Sequence, residues 1–327
     1  MTALLRFDRR IIPDQYETRL FSKVRNEIIR LPYFLSYYRN LGVDRFLFID
    51  NGSTDGTVRF LSEQPDCHIF ITSETLAESR AGMDWIQHLL DQYGCDRWCV
   101  VVDADELFVY RNAEVIRLSA FCQSIEASGA NAFFCVTVDM YSDADVDDVA
   151  YTAGQPFLEV CPFFDQTGYT WLKRKARRGS VGPLVVGGPR TRVFYPELLD
   201  SRFRARARRS VRAYLGKVFP GVKSAMPIYL NKIPLVRWNK GMSFEHAAHY
   251  IMFAKLARGH GALLHFKFLG NFVDHVKEED SRKAYLGRDA YRRYLSRIGE
   301  GSTINFMCDL SKRYVGTHQL ADLGLVK

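Results

Sequence analysis

The sequence predicts an α/β fold, with a mostly parallel β-sheet and helices on its faces. Over residues 20–139, short apolar runs alternate with amphipathic segments, which is the pattern of a parallel sheet covered by helices. Glycines and other turn formers separate these runs. Polar side chains directly follow three of the predicted strands, and open α/β sheets bind ligands at the carboxyl ends of their strands.

The first elements have clear local signals. Residues 20–24 form the first predicted strand. A helix follows it with Pro32 in its first turn, where proline is tolerated, and Gly42 closes that helix. The apolar run 45–50 predicts the second strand, and the turn formers and N-cap residues after it lead into a short helix over 57–62.

The next elements repeat the alternation. We predict a third strand over 68–72 and a helix over 77–93, whose apolar positions Met83, Ile86, Leu89 and Leu90 share one face. The apolar segment 98–102 predicts a fourth strand. A helix over about 114–128 and a strand over 132–139 complete this part of the chain.

The most informative segment is the strand that ends in Asp103, Asp105 and Glu106. In an extended chain, residues two apart face the same side, so the two aspartates would point together. Carboxylates at the edge of a buried strand repel each other unless a cation or hydrogen-bond donors compensate. The pattern suits a hard divalent cation, and by itself it suits equally a strand end whose acids face water or cap the next helix.

Composition limits the classes of protein. The chain has 327 residues, of which 47% are apolar, so it can bury a large core in one or two domains. We expect neither a membrane span nor a signal peptide, because no apolar run is long enough, and we therefore expect a cytoplasmic protein. The seven cysteines show no C-x-x-C pair, which indicates reduced thiols rather than disulfides or a zinc site.

The formal net charge of +8 is concentrated in two basic clusters, at residues 173–178 and 202–212. A solvated basic surface is the plain interpretation. The functional alternatives are contact with anionic lipid at the inner leaflet of the membrane or with an acidic acceptor. No nucleic-acid-binding module accompanies the charge, so we expect no nucleic-acid partner.

Four motifs together resemble a known family. They are Val24-Arg-Asn26-Glu27, the segment 41–46, the segment Asp50-Asn-Gly-Ser-Thr-Asp55-Gly-Thr, and Trp98 through Asp103-Ala-Asp105-Glu106. These residues resemble the family 2-like glycosyltransferases of bacteria, which have the GT-A fold, over about residues 17–110. Segments 187–194, 232–238 and 263–269 show weaker likenesses to the same group.

The resemblance implies roles for particular residues. Asn26, Glu27, Asp50 and Asp55 would line the base and ribose pocket of a nucleotide-sugar. Asp103 and Asp105 would form a D-x-D pair, the first near the ribose and the second on a Mn²⁺ or Mg²⁺ ion that bridges the diphosphate. His265, which lies in a late apolar run, would add a metal or phosphate ligand, unless it is a core histidine bonded to a backbone carbonyl.

Residue types explain part of this chemistry. Arg190 and Arg192 could hold diphosphate oxygens, although an exposed charged loop has the same sequence. An acceptor hydroxyl must lose its proton, which requires a carboxylate or a histidine near the sugar. Asp139 is the first candidate because it ends a strand, although capping that strand end would explain it equally well. Asp165, Glu245 and His246 are the other candidates for this base.

The sequence therefore predicts a metal-dependent glycosyltransferase that moves a sugar from a nucleotide-sugar to a glycan or glycolipid acceptor, in cell-surface polysaccharide synthesis. Inverting stereochemistry is implied by the resemblance alone. Residues 1–200 would form the GT-A-like catalytic domain, and residues 201–327 a basic, mainly helical portion that completes the acceptor and metal site. The alternatives are a nucleotidyltransferase and a noncatalytic polyanion-binding protein on the same fold.

Overall fold

The structure is a computed structural model that describes residues 5–6, 16–172, 182–196, 228–245, 248–270, 272–282, 293–297 and 303–327. Both predicted basic clusters, at 173–178 and 202–212, lie outside the described residues, and so does His246. None of the helices within the described ranges is long and apolar enough to span a membrane.

The strands and helices follow each other along the whole described chain. The strands are β1 (Leu5–Arg6), β2 (Arg19–Val24), β3 (Arg45–Asp50), β4 (Cys67–Ile71), β5 (Trp98–Val101), β6 (Glu106–Val109), β7 (Ala132–Asp139), β8 (Phe163–Asp165), β9 (Tyr169–Leu172), β10 (Leu184–Gly187), β11 (Asn231–Arg237), β12 (Ser243–Glu245), β13 (Tyr250–Met252), β14 (Gly261–His265) and β15 (Ser311–Arg313). The helices are α1 (Leu31–Leu41), α2 (Thr57–Ser62), α3 (Met83–Tyr93), α4 (Leu118–Ala127), α5 (Phe157–Val160), α6 (Gly188–Phe194), α7 (Phe272–Arg282) and α8 (Thr317–Asp322), with a 3₁₀ turn at Val146–Asp148.

Nine of these strands form one mixed sheet in the order β1-β4-β3-β2-β5-β11-β7-β14-β6. Strands β2, β3, β4 and β5 pair in parallel, and β14 is parallel to β7. Because β11 is antiparallel to both β5 and β7, those two strands run in the same direction. Six of the nine strands therefore share one direction, which confirms the predicted α/β class with a mostly parallel sheet.

This topology brings many chain segments to one edge of the sheet. The six strands of shared direction all end there, and the antiparallel strands β6 and β11 begin there. The register shows this directly, because Glu106 at the start of β6 pairs with His265 at the end of β14, which in turn pairs with Asp139 at the end of β7. We call this side of the sheet the carboxyl edge.

Helix α1 confirms the local signals of its sequence. Pro32 lies in its first turn, and Gly42 follows it in the left-handed conformation with φ of 105°, donating its N–H to the carbonyls of Tyr38 and Arg39. One face of the helix is buried in the main core through Phe34, Leu35, Tyr38 and other apolar residues. A glycine is required at this C-cap because a side chain is strained at positive φ.

Helix α3 is shorter than predicted. The amphipathic pattern predicts a helix from residue 77, but α3 begins at Met83. Arg80, Ala81 and Gly82 all have positive φ, which excludes a right-handed helix there. The inward face predicted from Met83, Ile86, Leu89 and Leu90 is buried. Helix α4 likewise begins late, at Leu118, because Arg117 is extended.

The sequence predicts a domain boundary at residue 200, and strands from both sides of that residue belong to one sheet. Strand β11 lies between β5 and β7, and β14 lies between β7 and β6. Both strands come from the C-terminal side of that boundary, and they pack into the same hydrophobic core as β2 and β3. The described C-terminal residues thus complete the sheet that carries the predicted site.

The Tyr38 hydroxyl fixes the start of β6 from within the core. It donates to the carbonyl of Glu106 (2.9 Å) and accepts the N–H of Phe108 (3.0 Å), and the side chain is fully buried. We expect Tyr38→Phe to lower the free energy of unfolding by about 1–3 kcal/mol, because two buried backbone groups lose their partner. Urea denaturation measures this loss.

Tyr37→Phe is the matched control, since its hydroxyl donates only to the carbonyl of Phe108 (2.7 Å) and its side chain is partly exposed. We expect Tyr37→Phe to lower the free energy of unfolding by about 1 kcal/mol, less than Tyr38→Phe does. Equal losses in the two variants would contradict the role given to Tyr38.

Candidate active site

The acidic segment forms a turn at the carboxyl edge. Strand β5 ends at Val101, and the N–H of Glu106 donates to the carbonyl of Asp103 (3.1 Å) while the N–H of Asp103 donates to Oε2 of Glu106 (3.0 Å). The segment is therefore not extended beyond β5, contrary to the expectation from sequence, and Asp103 and Asp105 meet different partners. The backbone of Asp105 is fixed separately, because its carbonyl accepts the N–H of Phe266 (2.8 Å).

Asp103 lies between two lysines. Oδ1 contacts Nζ of Lys23, and Oδ2 accepts from Nζ of Lys232 at 2.8 Å. Nζ of Lys232 also donates to both oxygens of Glu106, at 2.5 and 2.7 Å. Burial alone would raise the pKa of Asp103, but the two ammonium groups hold that pKa below its ordinary value.

The sheet order explains this arrangement. Strand β5 lies between β2, which carries Lys23, and β11, which carries Lys232. Lys23 lies near the end of a parallel neighbour, and Lys232 lies near the start of an antiparallel one. Each neighbouring strand therefore supplies one ammonium group to the aspartate that follows β5.

Asp105 belongs to a second series of charged side chains in contact with one another, which we call the second charged chain. Nε2 of His265 lies 3.2 Å from Oδ2 of Asp105, and Nδ1 lies 2.6 Å from Oδ1 of Asp139. Oδ2 of Asp139 accepts from Nε of Arg190 at 2.7 Å. Burial would lower the pKa of His265, but the two carboxylates raise it above its ordinary value.

Asp139 is completely buried and both of its oxygens are engaged, by His265 and by Arg190. Burial favours its neutral form, yet Arg190 and His265 together hold the pKa of Asp139 below its ordinary value. A charged carboxylate in this position orients the imidazole ring and fixes its charge.

Glu27 pairs with Arg30 beside this chain. Nη1 of Arg30 donates to Oε2 of Glu27 at 2.8 Å, and Nη2 donates to the carbonyl of Leu269 at 3.3 Å. Burial raises the pKa of Glu27, against the effect of Arg30 and together with that of Asp105. The carboxylate of Glu27 is therefore close enough to Asp105 for the two to repel each other.

The other residues predicted to bind the nucleotide connect two loops by hydrogen bonds. Oδ1 of Asn26 accepts the N–H of Thr54 (2.8 Å), and Oδ2 of Asp55 accepts the N–H of Ile28 (3.1 Å). Oδ2 of Asp50 accepts the N–H groups of its own turn, from Gly52 and Ser53.

Oδ1 of Asp50 is buried and has no hydrogen-bond partner among the described residues. Asp50 ends β3, which lies two strands from β5, so this oxygen belongs to the same carboxyl edge as Asp103 and Asp105. Buried acceptors are almost always satisfied in native proteins, so an unpartnered one calls for a donor from elsewhere.

The remaining candidates lie in separate contacts. Arg192 forms a bidentate pair with Asp165 (3.0 and 2.9 Å), and Asp165 also accepts from the hydroxyl of Tyr141 (2.7 Å). Glu245 lies on β12, with 41% of its side chain exposed and Arg80 at 3.6 Å. The structure thus brings Arg190 to Asp139 and His265, and holds Arg192 in a pair of its own.

Sequence reasoning missed Lys23, Lys232 and Arg30. Their signal was present, because a lysine inside an apolar strand is unusual unless it meets a carboxylate. Lys232 begins the run Lys232-Ile-Pro-Leu-Val, and Lys23 precedes the last residue of β2. Only the pairing of β2, β5 and β11 shows which carboxylate each lysine meets.

The three expected metal ligands do not fit a metal site as they are arranged. Both oxygens of Asp103 face ammonium groups, and both nitrogens of His265 face carboxylates. A metal needs a lone pair on each ligand that is free for it, and in this arrangement ammonium groups and carboxylates occupy those positions. Among the described residues, no group of three or more His, Cys, Asp or Glu side chains could hold a metal ion.

A cavity opens beside Asp103. Lys23, Asp103 and Lys232 line its polar side, and Met83, Ile86 and Val101 contribute apolar walls. This lining brings two ammonium groups and a carboxylate next to apolar side chains.

Comparisons with known proteins give only distant likenesses. No family model matches the chain, and no curated protein matches it. One structural neighbour is a putative glucose-1-phosphate thymidylyltransferase from Bacillus anthracis (8% identity, TM-score 0.28, 42% of this chain and 64% of that chain). Another is 4-diphosphocytidyl-2C-methyl-D-erythritol synthase from Anaerococcus prevotii (13%, 0.26, 44% and 65%). HddC from Yersinia pseudotuberculosis is a third (13%, 0.24, 43% and 70%).

The chain covers less than two thirds of the length of the first two of these neighbours. The low identities and TM-scores mean that the function has to be argued from the site itself.

Lys232 neutralises a buried carboxylate, which leads to a stability prediction. Glu106 is 2% exposed. We expect Lys232→Met to lower the free energy of unfolding by about 3–5 kcal/mol, because it leaves a buried charge without a partner. Adding Glu106→Gln to Lys232→Met should recover part of that loss, and chemical denaturation measures both.

Lys240→Met is the control, since Lys240 is exposed and should change stability by less than about 0.5 kcal/mol. If Lys232→Met/Glu106→Gln were no more stable than Lys232→Met, the unpaired charge of Glu106 would not be the cause of the lost stability.

Gly187 permits the turn that places α6 and Arg190. Its φ is 118°, and a Cβ there would lie 2.0 Å from the carbonyl oxygen of Gly168. We expect Gly187→Ala to destabilise the protein by more than the roughly 1–2 kcal/mol that positive φ alone costs, because the backbone must also move. Thermal unfolding measures the difference.

Gly241→Ala is the matched control, with φ of 95° and no atom within 4 Å of the added Cβ. Gly241→Ala should lower the free energy of unfolding only by the cost of placing a side chain at positive φ. If Gly187→Ala destabilised the protein no more than Gly241→Ala, the close approach to Gly168 would not contribute to the loss of stability.

Proposed function

We propose that this protein is a glycosyltransferase that uses a nucleotide-sugar donor and a glycan or glycolipid acceptor. The observation that carries the proposal is the convergence of Asp50, Asp103 and Asp105 at one edge of the sheet, with a buried oxygen of Asp50 that has no partner in the described chain. An unpartnered carboxylate oxygen suits the N–H of a nucleobase. Two ammonium groups beside Asp103 support binding of the phosphates of the nucleotide.

The proposed reaction exchanges one bond to the sugar for another. The bond between the anomeric carbon and the diphosphate oxygen breaks, and the nucleoside diphosphate leaves with the bonding electrons. The acceptor oxygen forms the new bond to that carbon and gives its proton to a general base. Negative charge builds on the diphosphate during this step, and fixed positive groups stabilise it.

The candidate base needs access to the acceptor. Asp139 is fully buried with both oxygens engaged, so in our proposal it orients His265. Asp165 is also buried and paired with Arg192. Of the described candidates, Glu245 has the exposed carboxylate, and we therefore propose Glu245 as the group that a substrate hydroxyl can reach.

Nucleotidyl transfer is the second candidate. Two lysines at one cavity would suit the phosphates of a nucleoside triphosphate as well as those of a nucleotide-sugar. The products separate the reactions, because glycosyl transfer releases a nucleoside diphosphate and nucleotidyl transfer releases pyrophosphate. A noncatalytic polyanion-binding protein would release neither.

The proposal predicts selective nucleotide binding that depends on Asp50. We expect calorimetry with ADP, GDP, CDP, UDP and dTDP to identify one preferred nucleotide. Asp50→Asn should weaken that nucleotide roughly 10- to 100-fold, because the amide keeps the turn hydrogen bonds but presents a donor where the base needs an acceptor. Incubation with the matching nucleotide-sugars should release the nucleoside diphosphate.

Asp147→Asn, at an exposed position of the 3₁₀ turn, is the matched control and should bind like the unaltered protein. Equal binding of all five nucleotides, or undiminished binding by Asp50→Asn, would count against the proposed pocket. Release of pyrophosphate from a nucleoside triphosphate and a sugar phosphate would favour the second candidate.

A further inference from the structure

Most carboxylates at the carboxyl edge are paired with the protein's own groups. Lys23 and Lys232 contact Asp103, and Lys232 also contacts Glu106. Asp139 pairs with Arg190, and His265 lies between Asp139 and Asp105. Asp103 therefore already has two ammonium groups where the sequence predicts a divalent cation.

We infer that Lys23 and Lys232 bind the diphosphate of the donor directly, in the place that the sequence assigns to a divalent cation. This inference rests on the proposed function. It names two binding residues that the motif does not contain, and it predicts that the nucleotide binds without a metal.

The geometry of the two lysines supports this role. Their ammonium groups approach the same carboxylate from the two strands that flank β5, and both line the cavity beside it. Asp103 is 35% exposed, so a ligand can reach the point where the two ammonium groups meet. An ammonium group has three donors, so each lysine can keep one carboxylate contact and turn another donor to a phosphate oxygen. For Lys232, which donates to three carboxylate oxygens, this exchanges one of those contacts.

The two lysines differ in how firmly they are held. Lys232 is bound by Asp103 and by buried Glu106, and it therefore has a structural task as well. Lys23 contacts Asp103, which is 35% exposed, and 19% of the Lys23 side chain is itself exposed. Lys23 is thus the residue whose removal tests ligand binding with the smaller effect on folding.

The experiment measures nucleotide binding with and without metal. The probe is the nucleoside diphosphate that binds most tightly among ADP, GDP, CDP, UDP and dTDP, titrated by calorimetry in EDTA and again in Mn²⁺. We expect the unaltered protein to bind it in EDTA with a Kd within about threefold of that in Mn²⁺. Lys23→Met should raise the Kd in EDTA roughly 10-fold or more, because a charge-assisted hydrogen bond is lost.

The double variant Lys232→Met/Glu106→Gln tests the second lysine without leaving a buried charge, and it should raise the Kd by a similar factor. Lys240→Met is the matched control and should leave the Kd unchanged. Each variant is first checked by circular dichroism and thermal unfolding, so that loss of binding is separated from loss of structure.

The outcomes distinguish this inference from the proposed function. Binding that disappears in EDTA and returns with Mn²⁺ would overturn the inference and leave the glycosyltransferase proposal intact. Undiminished binding by Lys23→Met in EDTA would overturn it as well. If no nucleotide in the panel binds under either condition, the proposed function fails and the inference fails with it.

Discussion

The contact of one ammonium group, that of Lys232, with Asp103 and Glu106 is the constraint on which the site depends. Two carboxylates at the end of a buried strand are costly to desolvate unless a positive group lies between them. A purely parallel sheet would bring only strand ends to this edge. Strand β11 runs antiparallel between β5 and β7, and so it brings a residue from its beginning to the same place. The inserted strand is therefore an electrostatic element as well as a packing element.

The second charged chain, from Arg190 through Asp139 and His265 to Asp105, ties four segments of the polypeptide together. Its members lie on α6, β7, β14 and the turn after β5. The buried end at Asp139 is rigid because both oxygens are held, and the other end at Asp105 is 21% exposed. In our proposal, this series of charges, anchored in the core and open at one end, faces the ligand, and preorganised charges of this kind stabilise a transition state.

Much of the fold was predictable because its signals are local. The strands at 45–50 and 132–139 and the helix with Pro32 and Gly42 depend on apolar runs, turn formers and caps within a few residues. The start of α3 was not predictable in this way. Its amphipathic pattern extends upstream of Met83, but three consecutive residues at positive φ interrupt it, and Arg80 is held there by Asp84 and by the carbonyl of Phe244 from β12. A distant contact outweighed the local pattern.

The sequence by itself determined the class of fold and which acids follow strands, because hydrophobic periodicity and a carboxylate after a strand are properties of adjacent residues. It placed Asp50 and Asp139 at strand ends, and Asp103 and Asp105 directly after a strand, where the structure has them. Tertiary structure alone decided which cation each acid meets. Lys232 is 129 residues from Asp103, and His265 is 126 residues from Asp139. Charges interact through space and not along the chain, so their partners are fixed only when the strands have taken their order in the sheet.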